Sequence, residues 1–329
     1  CSCITDPLSG SNGVILNQSM VVLLGQTAVG KTALSLKLAK ELNGEIVSAD
    51  SRLFYQKMNI GTAKPTVAEQ SEVPHHLIDL CQPDETITLG DYQRRAYQTI
   101  DYLLANGRLP ILVGGTGQYV KAVVEGWGIP KVPPQPRLRA ALAQLPGPEL
   151  ARWLAILDPE AARKHDPRNL RRIIRALEVT LVSGQPISEL QRKTPPPYRI
   201  CQIGLTRPRE ELYARIDARV DQMMTNGLLA ELKMLRDAGY GRSLPSMSGL
   251  GYRQLWAYLD GEMSLEESVE RIKFETHRFA RHQANWFSKD DPTITWFKMK
   301  NGVETAVLEF ISRWLREGET GNGHSLTKQ

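Results

Sequence analysis

The stretch GQTAVGKT, residues 25–32, has the residue types and spacing of a phosphate-binding loop. In the pattern G-x-x-x-x-G-K-[ST], backbone N–H groups surround phosphate oxygens, the lysine adds positive charge and the hydroxyl binds Mg²⁺. The sequence therefore predicts that Lys31 faces solvent and contacts phosphate, and that Thr32 is a magnesium ligand. The alternative is a chance glycine-rich turn ahead of an ordinary helix.

The segments on either side of this loop are those that such a loop requires. MVVLL, residues 20–24, is typical of a buried strand, and the following helix places Leu34, Leu38 and Leu42 on one face. The loop is therefore predicted to join a strand to a helix, which argues against the chance turn.

Two further apolar strands end in residues that could do chemistry. GEIVSADS ends in Ala49, Asp50 and Ser51, and RLPILVGGTGQY contains a glycine turn at residues 114–117. Strands that alternate with helices indicate a doubly wound, parallel α/β sheet, whose ligands bind beyond the carboxyl ends of its strands. We therefore expect residues 25–32, Asp50 and residues 114–117 to converge on one crevice.

Two proline-rich segments, residues 129–137 and 193–199, interrupt the α/β pattern. The sequence between them is helical and basic, and a strand follows, which predicts an inserted helical subdomain. Glycine-rich polar residues end the chain, which is typical of a disordered tail. The predicted organisation is a flexible tail at 1–18, a core at 19–128 and 199–315, an insertion at 129–198 and a disordered tail at 316–329.

The composition is that of an ordinary globular protein. Of 329 residues, 41% are hydrophobic and 23% charged, and no apolar run approaches the roughly 20 residues needed to span a bilayer. The N-terminus lacks the pattern of a signal peptide, so we expect a cytoplasmic monomer without a membrane partner. Four scattered cysteines suit a reducing compartment. The net charge of +5 permits nucleic-acid binding without requiring it.

Arginines are concentrated in RKHDPRNLRRIIRALEV, where Arg168, Arg171, Arg172 and Arg175 recur at helical spacing. Such a stripe on one helix face suits a phosphate backbone. The alternative is a solvated charged face, but few carboxylates are near enough in sequence to pair with it. We therefore favour a nucleic-acid surface.

Two other groups of residues leave alternatives open. In residues 271–287, cations alternate with aromatic side chains that could stack on bases, although helical spacing favours the core for Phe274 and Phe279. Arg215 and Arg219 lie four residues apart on a predicted helix. They either form surface ion pairs or reach into the crevice toward phosphates.

Together these motifs resemble the tRNA dimethylallyltransferases. The pieces that match, in family order from residue 25 to about 288, are GQTAVGKT, SADSRLFYQKMNIGTAKP, PHHLID, LVGGTGQYVKAV, DPEAARKHDPRNLRRIIRALEV, SGLGYRQLW and RFARHQANWF. The resemblance implies an α/β fold with a P-loop NTPase-like parallel sheet core and an inserted helical subdomain that grips the anticodon arm. Gln26 and Gln118 depart from the common pattern, and the zinc-finger extension of eukaryotic members is absent, so a bacterial-type enzyme is expected.

The activity that the resemblance implies is transfer of a dimethylallyl group from dimethylallyl diphosphate to the exocyclic amine of an adenine beside the anticodon. Lys31, Arg219 and Mg²⁺ held by Thr32 would stabilise the departing diphosphate. The amine must lose a proton, and Asp50 is the candidate general base, with a helix cap as the alternative role. Asp50, Lys31, Thr32 and Arg219 are thus the expected catalytic residues.

The resemblance also implies two sets of binding residues, carried over by motif. The expected diphosphate-binding residues are Gly25, Gln26, Thr27, Ala28, Val29, Gly30, Lys31 and Thr32. The expected tRNA-binding residues are Asp50, Ser51, Arg52, Leu53, Thr116, Arg139, Arg171, Arg172, Ile173, Ile174 and Arg175.

Three other functions share parts of this pattern. A small-molecule P-loop kinase has no use for the basic insertion, and its magnesium-binding aspartate is missing unless HLID, residues 76–79, supplies it. A prenyltransferase that acts on free adenylate would need no clamp for an anticodon arm. A non-enzymatic RNA-binding protein would leave Asp50 and the glycine turn unexplained.

Overall fold

The computed structural model describes residues 18–320, and a six-stranded parallel sheet forms its centre. The sheet order is β3-β2-β4-β1-β5-β6, and every neighbouring pair is parallel. The strands are β1 Ser19–Gly25, β2 Gly44–Ser48, β3 His75–His76, β4 Leu109–Gly114, β5 Arg199–Thr206 and β6 Ile294–Lys298. The predicted P-loop-type parallel α/β core is confirmed.

Helices follow or separate these strands throughout the described chain. They are α1 Lys31–Glu41, α2 Val67–Glu72, α3 Leu89–Ala105, α4 Gly117–Val124, α5 Pro136–Leu142, α6 Gly147–Leu157, α7 Pro159–Lys164, α8 Leu170–Ser183, α9 Ile187–Leu190, α10 Arg209–Thr225, α11 Leu228–Asp237, α12 Tyr252–Leu259, α13 Leu265–Ala284 and α14 Val303–Thr320. Among the residues described, no helix combines the length and apolar character that crossing a bilayer requires.

The position of β1 inside the sheet explains why residues 20–24 are continuously apolar. The strand pairs with β4 on one side and β5 on the other, and all seven of its residues are buried. A parallel strand covered by helices on both faces needs apolar side chains at every position. Leu34 and Leu38 of α1 pack in the same core, as their spacing predicted.

The chain divides into two compact units. Of the described residues, the larger unit comprises 18–86, 95–120 and 197–320, and it contains the sheet. The smaller comprises residues 87–94 and 121–196; it is helical, with a core of its own around Leu150, Leu154 and Leu177.

The boundaries differ from the predicted insertion at 129–198. The smaller unit begins at Lys121 and also takes in residues 87–94, which carry no proline-rich boundary signal. The prediction of disorder from residue 316 is wrong for residues 316–320, because α14 runs to Thr320. Residues 1–17 and 321–329, which hold most of both predicted tails, lie outside the described part.

Candidate active site

The loop between β1 and α1 has the glycine positions that its backbone path requires. Gly25 and Gly30 have φ angles of +151° and +118°. A Cβ atom on Gly25 would lie 2.9 Å from the carbonyl oxygen of Leu205. Both positions therefore favour glycine, and α1 begins immediately after the loop, so its N-terminal N–H groups are available to an anion.

The sequence predicted that Lys31 faces solvent, but the structure shows its ammonium group turned toward the loop. Its Nζ donates hydrogen bonds to the carbonyl oxygens of Gly25, at 2.8 Å, and Gln26, at 2.9 Å, and the residue is half-buried. Burial lowers the pKa of Lys31 to about 8, with the Asp50 carboxylate opposing this effect and Arg219 adding to it. Thr32, the first-turn hydroxyl, is exposed.

Two arginines of α10 reach the same loop. Arg215 Nε donates to the carbonyl oxygen of Ala28 at 2.8 Å, and Arg219 Nη1 lies 3.5 Å from Thr27 Oγ1. Burial lowers the pKa of Arg219, Asp50 opposes that shift, and Arg215 adds to it. The loop thus lies among cations that an anionic ligand would stabilise.

The carboxylates that could have held these arginines at the surface have other partners. Glu211 pairs with Arg207 at 3.1 Å, and Asp221 pairs with Lys273 at 2.9 Å. Arg207 itself also donates to the carbonyl oxygen of Val29, at 3.3 Å. Of the two alternatives left open by the sequence, the structure shows the arginines directed to the loop.

Asp50 follows β2 directly and has a local structural role. Its Oδ1 accepts a hydrogen bond from the backbone N–H of Arg52 at 3.0 Å, so it caps a turn rather than a helix. Its negative charge also acts on Lys31 and Arg219, because it opposes the lowering of the pKa of both residues by burial. The carboxylate is therefore adjacent to the cations of the loop.

The glycine turn after β4 approaches both of the other loops. A Cβ atom on Gly114 would lie 2.5 Å from the carbonyl oxygen of Ala49, and one on Gly115 would lie 2.9 Å from that of Gly25. Only glycine permits such close backbone contacts. The predicted convergence of the three loops is therefore confirmed.

A cleft of about 1000 Å³ opens beside these loops in the larger unit. Its polar lining includes six of the predicted site residues, one of them from the phosphate loop: Asp50, Ser51, Arg52, Thr116, Arg219 and Thr27. Its apolar lining includes Ile216, Val220 and Met223 of α10. Leu53, also predicted, is half-buried and is not among the lining residues.

Gln283 on α13 is a site residue that sequence reasoning missed. Its Oε1 accepts the backbone N–H of Thr27 at 2.7 Å, and its Nε2 donates to the carbonyl oxygen of Gly115 at 2.9 Å. One side chain thus joins the phosphate loop to the glycine turn. Its position within RFARHQANWF was the available signal, but a buried glutamine cannot be told from an exposed one by type.

The prediction that Phe274 and Phe279 belong to the core is wrong. The two residues are 62% and 42% exposed, and Phe279 lines the cleft with Arg278 and His282 of the same helix. Their spacing fits a helix face, but α13 buries a different face, which contains Ile272 and Ala280. The periodicity of the sequence predicted the helix but did not show which of its faces is buried.

The arginine stripe of the smaller unit is shorter than predicted. α8 begins at Leu170, so Arg168 precedes the helix, where it pairs with Asp166. Arg171 and Arg172 are exposed on the first turn of α8. These two remain available to a phosphate backbone.

Other residues predicted to bind tRNA have structural partners in this unit. Arg139 donates to both carboxylate oxygens of Glu178 at 2.7 Å, and Arg175 donates to Glu178 and to the carbonyl oxygen of Val132. Ile173 is 1% exposed in the core, so its side chain is not available to RNA, and Ile174 is half-buried. The prediction is therefore corrected for Ile173.

The model of the IPP transferase family matches residues 53–290. A tRNA dimethylallyltransferase of Dehalococcoides mccartyi is 48% identical over 91% of this chain and 93% of the relative. Another, from Herpetosiphon aurantiacus, is 54% identical over 82% of this chain and 87% of the relative. This chain belongs to the tRNA dimethylallyltransferase family.

Solved structures of the family have the same fold. The full-length tRNA isopentenylpyrophosphate transferase of Bacillus halodurans is 38% identical, with a TM-score of 0.71 over 93% of this chain and all of that one. A eukaryotic dimethylallyltransferase crystallised while acting on tRNA is 26% identical, with a TM-score of 0.79 over 90% and 80% of the two chains.

In this family member, Glu178 is the centre of the smaller unit's polar core. Burial opposes ionisation of its carboxylate, but hydrogen bonds from Arg139, Arg175 and the backbone N–H of Gln135 outweigh that effect. They lower the pKa of Glu178 to about 2, from an ordinary value of 4.5. The carboxylate therefore contributes stability above pH 4.5, and this contribution is lost as the pH falls toward 2.

Glu178→Gln is expected to lower the free energy of unfolding by about 3 kcal/mol at neutral pH, because two guanidinium groups lose their buried anion. Urea unfolding of both proteins at pH 7 and pH 3 measures the effect, and the difference between them should shrink in acid. Glu189→Gln, an exposed change in the same unit, is the matched control. A difference that is the same at both pH values would contradict this role.

Proposed function

We propose that this chain transfers a dimethylallyl group from dimethylallyl diphosphate to the exocyclic amine of an adenine adjacent to the anticodon in tRNA. The observation that carries the proposal is one cleft lined by the carboxylate of Asp50, by Thr27 of the phosphate loop with Arg219, and by apolar side chains. A prenyl diphosphate requires the last two together, and an amine acceptor requires the first.

The diphosphate half of the cleft supports the leaving group. When the bond between the allylic carbon and oxygen breaks, negative charge grows on the diphosphate and positive charge on the allyl group. Lys31, Arg219 and the loop N–H groups supply fixed positive potential for the diphosphate. Diphosphate binding would replace the carbonyl partners that Lys31 holds now, and it would raise the pKa of the lysine.

The residues present fit a bound Mg²⁺ that takes most of its ligands from substrate. Over residues 18–320, no group of three or more His, Cys, Asp or Glu side chains could hold a metal ion alone. Mg²⁺ commonly binds one or two protein oxygens with phosphate oxygens and waters, and Thr32 at the start of α1 offers a hydroxyl. Bound there, the ion would supply further charge stabilisation for the diphosphate.

Asp50 supports the acceptor half of the reaction. The exocyclic amine attacks the allylic carbon, a nitrogen–carbon bond forms, and the nitrogen gives up a proton to the carboxylate. One carboxylate oxygen is engaged by the N–H of Arg52, which orients the group. The adenine must leave its stacked position to reach this depth, as bases do in other enzymes that modify them.

The apolar side chains Ile216, Val220 and Met223 lie on the same helix as Arg219 and line the same cleft. This arrangement suits a short hydrocarbon chain attached to a diphosphate, because α10 presents the cation and the apolar surface side by side. We propose that a single chain carries the whole site, and that the reaction takes place in the cytoplasm, where its tRNA substrate is found.

We propose that Arg171 and Arg172 bind the phosphate backbone of tRNA. Replacing both by alanine is expected to weaken tRNA binding and to reduce the salt dependence by roughly one unit of slope per arginine. Affinity for dimethylallyl diphosphate should not change. Arg152→Ala, which removes an exposed arginine elsewhere in the smaller unit, is the control. An unchanged salt slope in the double variant would show these arginines to be merely solvated.

The activity itself is tested by offering the purified protein radiolabelled dimethylallyl diphosphate with tRNA or with adenylate. Label in tRNA alone supports the proposal, and digestion of the product locates the modified adenine. Label in adenylate would indicate the nucleotide prenyltransferase. Label in neither, with phosphoryl transfer from ATP, would indicate the kinase.

A further inference from the structure

The segment that carries Asp50 has almost no regular secondary structure to hold it. Residues 50–64 form turns between β2 and α2, yet Asp50, Ser51, Arg52, Gly61 and Thr62 all line the cleft. We call residues 50–64 the wall of the cleft. Because no helix or strand ladder holds this wall, it needs other contacts to keep it in place. Buried charged groups supply several of those contacts, beside backbone hydrogen bonds between residues 53–56 and residues 79 and 81.

Glu231 of α11 is the first of these groups. It is 7% exposed, and its Oε2 accepts the backbone N–H groups of Asn59 and Ile60, both at 2.8 Å. Its Oε1 accepts the N–H of Gly61 at 3.1 Å and the hydroxyl of Tyr252 at 2.6 Å. A buried carboxylate is thus satisfied by four donors, three of them from consecutive residues of the wall.

Gly61 and Tyr252, which Glu231 joins, are in close contact. A Cβ atom on Gly61 would lie 2.5 Å from Cζ of the Tyr252 ring. Both residues line the cleft, as Asp50 does. Glu231 therefore fixes one wall of the cleft from behind.

Lys64 fixes the end of the same segment differently. Its buried ammonium group donates to the carbonyl oxygen of Tyr55 at 2.7 Å and to the carboxylate of Asp79. Neither Lys64 nor Asp79 lines the cleft. Glu231 is thus the buried charge that bonds directly to a cleft-lining backbone.

The diphosphate half of the cleft is held by other residues. Thr27 interacts with Gln283 and Arg219, and the carbonyls of Gly25 and Gln26 accept from Lys31. The hydrogen bonds of Glu231 go to residues 59–61 and Tyr252 instead. The two halves can therefore be perturbed separately.

We propose that Glu231 is a positioning residue for the acceptor half of the cleft: its carboxylate holds Gly61 and Tyr252 in the arrangement that receives the tRNA adenine. This inference rests on the proposed function. Glu231 touches neither substrate and acts only through the wall that it holds. Because an anion is needed to satisfy four donors, the neutral amide of glutamine cannot replace it.

Steady-state kinetics with each substrate varied in turn test the proposal. Glu231→Gln is expected to lower kcat/KM for tRNA about tenfold or more, mainly through a higher KM, while KM for dimethylallyl diphosphate stays within about twofold. Asp237→Asn changes an exposed carboxylate on the same helix and should match the wild type.

Gly61→Ala is a second variant that leaves the carboxylate and its charge in place. Its added methyl group meets the Tyr252 ring and displaces the wall, so it should reproduce the selective loss for tRNA even if Glu231→Gln does not fold. Equal losses for both substrates, or a lower melting temperature with unchanged kinetics, would overturn the proposal. Failure of the wild type to modify tRNA would instead refute the proposed function, so the two failures are distinguishable.

Discussion

Asp50→Asn is expected to lower the single-turnover rate of transfer about 100-fold or more while leaving the affinities for tRNA and dimethylallyl diphosphate nearly unchanged. Asparagine keeps the Oδ1 that accepts the N–H of Arg52, so the turn after β2 should persist. It cannot take a proton as a carboxylate does. Rapid-quench measurements with enzyme in excess separate the chemical step from product release.

Asp79→Asn is the matched control for this variant. The carboxylate of Asp79, the aspartate of HLID, pairs with the buried Lys64, and Asp79 does not line the cleft. We expect that variant to lose stability more than rate. A near-normal single-turnover rate in Asp50→Asn, with chemistry shown to be rate-limiting, would remove Asp50 from the role of base.

Lys31→Ala should raise the barrier to transfer by about 3 kcal/mol or more, because the developing charge on the diphosphate loses a buried cation. The loss should appear in kcat as well as in KM, since the contact strengthens as the carbon–oxygen bond breaks. Single-turnover rates over a range of dimethylallyl diphosphate concentrations measure both effects.

Lys37→Ala is the matched control for that variant. Lys37 lies on the same helix, but it is exposed and pairs with Glu304 at 2.8 Å. This ion pair is exposed, so its loss should change stability little and should have no effect on transfer. Normal turnover in Lys31→Ala would show that the loop binds something other than the departing diphosphate.

Residue types and their spacing were sufficient to predict the parallel sheet, the phosphate loop and the convergence of three loops. Residues 20–24 of β1 are continuously apolar because both faces of the strand are covered, and that pattern can be recognised without a structure. Gly25, Gly114 and Gly115 mark places where another backbone passes too close for a side chain, and glycine at these positions is visible in the sequence. The family's motifs then ordered these pieces around one cleft.

The folded structure was needed to show which charged residues face the cleft or solvent and which have buried partners. Arg171 and Arg175 have the same residue type and suitable spacing, yet one is exposed while the other is bound to a buried carboxylate. Glu231 and Gln283 were not predicted as site residues, because the loop groups that they hold are backbone atoms at least 168 residues away in sequence. Local periodicity gives the face of a helix, but the orientation of that face depends on long-range packing, which one segment's sequence does not contain.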